Sequence, residues 1–216
     1  MLNYYYVTAF GYANLIAMTI GLVRFKKILK PFRLFVIFLV AGAVNDALST
    51  FTIIYWHTNA ANGNIYILIE AIILLFIFYN WGSFGKRILY LLLSLFVLVW
   101  VAENLVFGSL LKINSFFRLF YSLAVVILSI DQINVTMMHE RKNLFRNAKF
   151  IICFLFAFYY TFKAVYEVFY VVPMKMSDRF DQNLFLILVF VNLFTNLGYA
   201  LATLWMPTKQ KLTLPY

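Results

Sequence analysis

Apolar residues fall into seven long runs along this chain, separated by short polar breaks. The runs are roughly Tyr4–Val23, Leu34–Trp56, Ile65–Phe84, Ile88–Phe107, Phe117–Met138, Phe150–Val172 and Leu184–Met206. At about 1.5 Å per residue, roughly 20 residues cross the hydrocarbon core of a bilayer, so each run predicts a spanning helix. The breaks are too short for a nucleotide-binding, kinase or nucleic-acid-binding domain. The expected fold is therefore all-α: one seven-transmembrane-helix bundle over residues 1–216, with no soluble domain.

Composition agrees with the pattern. The chain is 64% hydrophobic and 20% aromatic, with a mean hydropathy of +0.87, outside the range of soluble domains. In a soluble protein the net charge of +10 would raise nucleic acid as a partner; here the charges follow the positive-inside rule, and no nucleic acid is expected. Arg24, Lys26, Lys27, Lys30 and Arg33 fill the first break, Lys86 and Arg87 the third, and Arg141, Lys142, Arg146 and Lys149 the fifth. Lys209 and Lys211 follow the last run. The other side holds only Lys112, Arg118, Lys175 and Arg179, with Asp178 and Asp181 among them. This asymmetry predicts an external N-terminus and a cytoplasmic C-terminus. The first run has no basic n-region and leads straight into RFKK, so it reads as a retained anchor. Its Ala9, Ala13, Ala17 and Gly21 repeat every four residues, a stripe suited to close helix packing.

Polar residues inside the runs mark the candidate chemistry, because ionisable groups at that depth are costly unless paired or neutralised. The sixth run carries Lys163 and Glu167, four residues apart and flanked on one face by Tyr160 and Tyr170. Counted inward at the helical rise, Glu70, Glu103 and Glu167 all lie roughly 8 Å below the outer edge, with Lys163 roughly 13 Å deep. Helical side chains lean toward the N-terminus, which on this run points inward, so Lys163 is expected to face the interior and pair with Glu167 or Asp46. Asn45 and Asp46 sit near mid-membrane in the second run, Asp131 in the inner half of the fifth, and Asn192 and Asn196 share one face of the seventh. These five residues form a candidate polar relay, with interhelical hydrogen bonding as the plainer role for the amides.

Several chemistries are excluded or disfavoured. His57 and His139 fall on opposite sides of the membrane, against a multi-histidine zinc hydrolase. Cys153 is the single cysteine, so no intrachain disulfide forms. The seventh run has no lysine for a retinal Schiff base. All four prolines lie at run ends or outside them, against the broken helices of many secondary transporters. No cofactor is expected.

The stretches NIYILIEAIILLFIFY (64–79), KINSFFRLFYSLAVVILSI (112–130) and VFVNLFTNLGYALATLW (189–205) resemble an uncharacterised seven-span membrane protein family common in Bacteroidetes, with Glu70 and Asn196 as the sharpest points. Members of that family are often encoded near sensor histidine kinases. The resemblance implies a bacterial cytoplasmic (inner) membrane and a signalling association, and it supplies no catalytic residues.

The sequence thus predicts an outward-facing polar pocket lined by Glu70, Glu103 and Glu167, with Lys163 at its floor and Tyr66, Trp100 and Tyr160 as aromatic walls. An acidic, aromatic pocket suits a small ligand, an organic cation above all. The expected function is a receptor-like sensory module signalling through a partner protein. A small-molecule or proton-coupled transporter using Asp46 and Asp131 stays open. A membrane-embedded lipid enzyme, with Glu70 and Glu103 as acid and base, stands behind both.

Overall fold

The computed structural model of the chain describes residues 10–139, 144–172 and 177–208. The helices are α1 (Asn14–Arg24), α2 (Lys30–Trp56), α3 (Ala60–Asn80), α4 (Lys86–Val101, continued by a π-helical stretch, Ala102–Phe107), α5 (Phe116–His139), α6 (Ala148–Val171) and α7 (Asp178–Trp205). Six of them, α2 to α7, are long and apolar enough to cross a membrane, which suggests an integral membrane protein. The first expected span is represented by the 11 residues of α1. Its start, from Tyr4 to Ala9, lies outside the described residues, as do Arg141, Lys142, Lys175, Lys209 and Lys211.

Local sequence explains the helix ends. Pro31 sits in the first turn of α2, where its missing N–H has no partner to lose. His57 closes that helix in the left-handed conformation, at φ 54°. Gly82 turns the chain after α3 with φ 82°, where a Cβ would be strained. Asn147 accepts from the backbone N–H groups of Lys149 and Phe150 to start α6, and Ser177 accepts from that of Phe180 to start α7. Three helices outrun their apolar stretches: α2 starts at Lys30, α3 at Ala60 and α7 at Asp178. Polar first turns continue the backbone hydrogen-bond ladder beyond the apolar run, so hydropathy alone ends these helices too early.

The helices close a ring in which α1 packs against α2 and α7, α2 against α3, α5 against α6, and α6 against α7; α3 and α4 both meet α5. α3 is the most enclosed, with 44% of its spanning window buried, and α4 the least, at 17%. The small-residue stripe serves contacts within the chain. Ala17 is fully buried, and a Cβ on Gly21 would lie 3.0 Å from Val36 of α2 and 3.5 Å from Thr203 of α7. Large apolar side chains such as Leu91, Ile127, Phe107 and Val23 are exposed around the ring, as lipid-facing positions require.

The two ends of the bundle differ. At the basic end, the Arg24 guanidinium donates to the carbonyls of Thr203, Leu204 and Met206, and Leu29 N–H donates to Pro207. Trp81 is buried there and donates to the Pro31 carbonyl. Above this end, the rings of Phe35, Phe38, Phe78, Phe156 and Tyr199 interlock at centroid distances of 5.2 to 6.2 Å, joining α2, α3, α6 and α7. At the opposite end Asn64 gathers the chain. It donates to the carbonyls of Leu110 and Lys112, while its own carbonyl accepts from the Trp100 indole.

Candidate functional site

Between the aromatic layer and the end held by Asn64 the ring encloses a cavity of about 410 Å³. Its wall runs from Asn59 and Ile113, in the connections at that end, down to Phe38 and Tyr199 of the aromatic layer. The volume is in the range of small-molecule sites, and the lining mixes charged groups and amides with aromatic and aliphatic side chains.

Glu70 is the centre of the polar wall. It lies ten residues into α3, because that helix begins at Ala60, so it is about 15 Å from the helix start rather than 8 Å. That depth brings it level with Lys163, eight residues from the end of α6. The Lys163 ammonium reaches a Glu70 carboxylate oxygen at 3.2 Å. Tyr121 donates to the same oxygen at 2.6 Å, and Tyr160 donates to the other at 2.9 Å. Lys163 also donates to the Tyr121 hydroxyl and stands over the rings of Tyr121, Tyr159 and Tyr160 at 4.9 to 5.6 Å from their centroids. The carboxylate is thus saturated by three donors, and the ammonium by a counter-charge and three ring faces. Lys163 faces the interior, and its partner is Glu70 rather than Glu167 or Asp46.

Glu167 finds a different cation. Arg118, two residues into α5, approaches it at 3.8 Å, and also donates to the Asn64 side-chain carbonyl at 3.2 Å. Arg118 follows the start of α5 so closely that the sequence suggests a loop charge. Helix α6 carries Glu167 to the same level, and both groups line the cavity. The cavity therefore contains two ion pairs, Lys163 with Glu70 and Arg118 with Glu167.

Asp46 adds a third carboxylate. It lies ten residues from the end of α2, level with Glu70, and lines the cavity beside Asn45 and Ser49. Among the described residues its carboxylate has no hydrogen-bond or ion-pair partner. Asn45 is engaged, accepting from Asn62, which also donates to Ser49. Across the cavity, Asn196 donates to Asn192 at 3.3 Å on α7. Tyr66 lines the cavity near Gly42, where a Cβ would lie 3.5 Å from its hydroxyl.

Four expected site residues are elsewhere or act indirectly. Glu103 belongs to the π-helical end of α4, and its carboxylate accepts from the backbone N–H groups of Phe116 at 2.7 Å and Phe117 at 2.6 Å. It caps α5 and does not line the cavity; the turn of chain between α4 and α5 is short enough to bring the two together. Trp100 anchors Asn64 instead of forming a wall. Tyr160 is fully buried behind Glu70 and acts through it. Asp131 is exposed on the outside of α5; its neighbour Gln132 is the buried one, accepting from Ser83. The relay residues Asn45, Asp46, Asn192 and Asn196 share one cavity, and Asp131 is apart from them.

The sequence reading missed Arg118, Tyr121 and Tyr159 at the ion pairs, and Asn14 and Thr195 in the deeper wall. Arg118 and Tyr121 are three apart and so share a face of α5, a spacing that pointed at the bundle interior. Asn14 is hidden in a stripe of alanines. It packs where it does because Gly42 on α2 has no side chain: a Cβ there would sit 2.9 Å from the Asn14 amide nitrogen.

Among the described residues no group of three or more His, Cys, Asp and Glu is placed to hold a metal ion. No family model, curated protein or solved structure matches the chain.

Proposed function

We propose that this chain is a seven-span receptor-like membrane protein, N-terminus outside, that binds a small ligand in the central cavity and signals through a partner protein. The cavity carries the reading. Two ion pairs, a carboxylate without a partner among the described residues and several tyrosine rings converge on one space in the half of the bundle away from the basic end. By the positive-inside asymmetry that half faces outward. The resemblance noted in the sequence makes a sensor histidine kinase the partner to test first. A carrier needs a second, inward-facing route. Against it stand the interlocked rings of Phe35, Phe38, Phe156 and Tyr199 below the cavity and the position of Asp131 on the outside of α5.

Thiol labelling in intact cells tests orientation and access together, on a Cys153→Ala background. Leu111→Cys and Phe145→Cys place exposed thiols at opposite ends, and Asn192→Cys places one in the cavity wall. A membrane-impermeant cationic thiosulfonate should modify positions 111 and 192 and spare 145 until the cells are permeabilised. Labelling of 145 instead of 111 reverses the topology. Protection of 192 in intact cells, with 111 labelled, removes an outward-open cavity.

A further inference from the structure

The deeper part of the cavity contains polar atoms that the fold leaves unused. The Asn14 side chain is 7% exposed, and its amide nitrogen donates to the Leu39 carbonyl at 2.9 Å. That bond fixes the amide's orientation, because a carbonyl accepts only from the NH₂ side. Among the described residues Asn14 Oδ1 is then left with no partner, as is Thr195 Oγ1 on a residue 1% exposed, and both residues line the cavity. The Asp46 carboxylate, one turn from Gly42, which touches Asn14, is the third group without a partner among the described residues. The Lys163 and Arg118 charges are already matched by Glu70 and Glu167, so among the described residues the Asp46 carboxyl is left without a cation. A half-buried carboxylate and two buried oxygens without partners each cost stability unless something donates to them.

We infer that Asp46, Asn14 and Thr195 form a binding site for the protonated amino group of a small primary amine. A primary ammonium supplies one positive charge and three N–H donors. The charge answers the unpaired Asp46, and N–H groups are available for Asn14 Oδ1 and the Thr195 hydroxyl oxygen. The tyrosine rings of Tyr66 and Tyr159 line the remaining wall and favour a cation carrying an aromatic or short apolar body. A quaternary ammonium carries the charge without the N–H donors, and a neutral alcohol of the same shape lacks the charge. This site rests on the reading of the cavity as a ligand pocket and names the class of ligand.

The test uses the full chain purified in detergent, with phenethylamine, its trimethylammonium analogue and 2-phenylethanol as probes, and thermal melting as the readout. Phenethylamine should raise the melting temperature of the wild type most, the trimethylammonium analogue less, and the alcohol least. Asp46→Asn removes the charge at constant shape and should weaken phenethylamine by at least roughly tenfold, as loss of a charged partner does. Thr195→Val, which keeps the volume, should narrow the gap between the primary and the quaternary amine, a readout that remains if Asp46→Asn fails to fold. If the three probes stabilise equally, or if Asp46→Asn leaves phenethylamine unchanged, the cavity still binds ligands and the ammonium site is overturned. If no probe of any kind shifts the melting, both the site and the pocket reading fall.

Discussion

Breaking the Lys163–Glu70 pair is the sharpest test of how this bundle holds its interior charge. In Lys163→Met the carboxylate loses its counter-charge but keeps the Tyr121 and Tyr160 hydroxyls, at 2.6 and 2.9 Å. Removing one partner of a buried pair costs about 3–5 kcal/mol, and the two retained donors put this variant near the lower end, about 3 kcal/mol. Glu70→Gln leaves the ammonium buried against three rings with no carboxylate, at a similar or slightly larger cost. The double variant leaves neither charge uncompensated. It should therefore cost no more than either single change, giving a coupling energy of about 3 kcal/mol. For a chain of this size about 2–4 °C accompanies each kcal/mol, so each single variant should melt roughly 6–12 °C below wild type in detergent. Single variants that both melt within about 2 °C of wild type, with additive effects in the double, would refute the buried pair. Lys163 would then be reaching the headgroups.

Other consequences can be checked on the same preparation. Gly198→Ala places a Cβ 2.6 and 2.8 Å from the Leu155 methyl carbons where α6 meets α7, and should cost about 1–3 kcal/mol in melting experiments. Pairing it with Leu155→Ala should lower that extra cost, since the clash goes with the methyls. Glu103→Gln weakens the cap on α5 and should destabilise by about 1 kcal/mol, with no change in the reactivity of a thiol at position 192. Asp131→Asn alters an exposed position and should change neither melting nor that reactivity; loss of either would return Asp131 to the interior.

Most of the fold could be read from hydropathy, because a bilayer demands long apolar helices and little else. The helix starts could not: ANGN at 60–63 is polar, yet helical, and this moved Glu70 inward by about a turn and a half relative to its expected depth. The displacement decided the site. At roughly 8 Å Glu70 would have joined Glu103 and Glu167 in one layer; at about 15 Å it meets Lys163. Depth counted along a helix also says nothing of direction around it, and Glu103 caps a neighbouring helix instead of lining the cavity. The partners of the ion pairs were hidden for another reason. The Tyr121 hydroxyl donates to Glu70 and the Tyr159 ring faces Lys163, contacts that depend on how α5 and α6 pack and that hydropathy along one helix does not carry.

The distribution of charge gives the cavity its logic. Each of the two ion pairs joins different helices, α3 to α6 and α5 to α6, so removing either charge loosens an interhelical junction as well as altering the cavity. Asp46 joins nothing among the described residues, and an unpaired carboxylate at that depth contributes no packing that an asparagine would not. Its removal should therefore be neutral or stabilising for the empty protein, in contrast to Lys163→Met and Glu70→Gln. This opposite sign separates the groups that build the cavity from the group left to meet a ligand. A stabilised Asp46→Asn that no longer responds to an amine would be the expected outcome. An Asp46→Asn variant destabilised as strongly as Lys163→Met would show instead that Asp46 has a structural partner, and that the cavity's charge is already balanced.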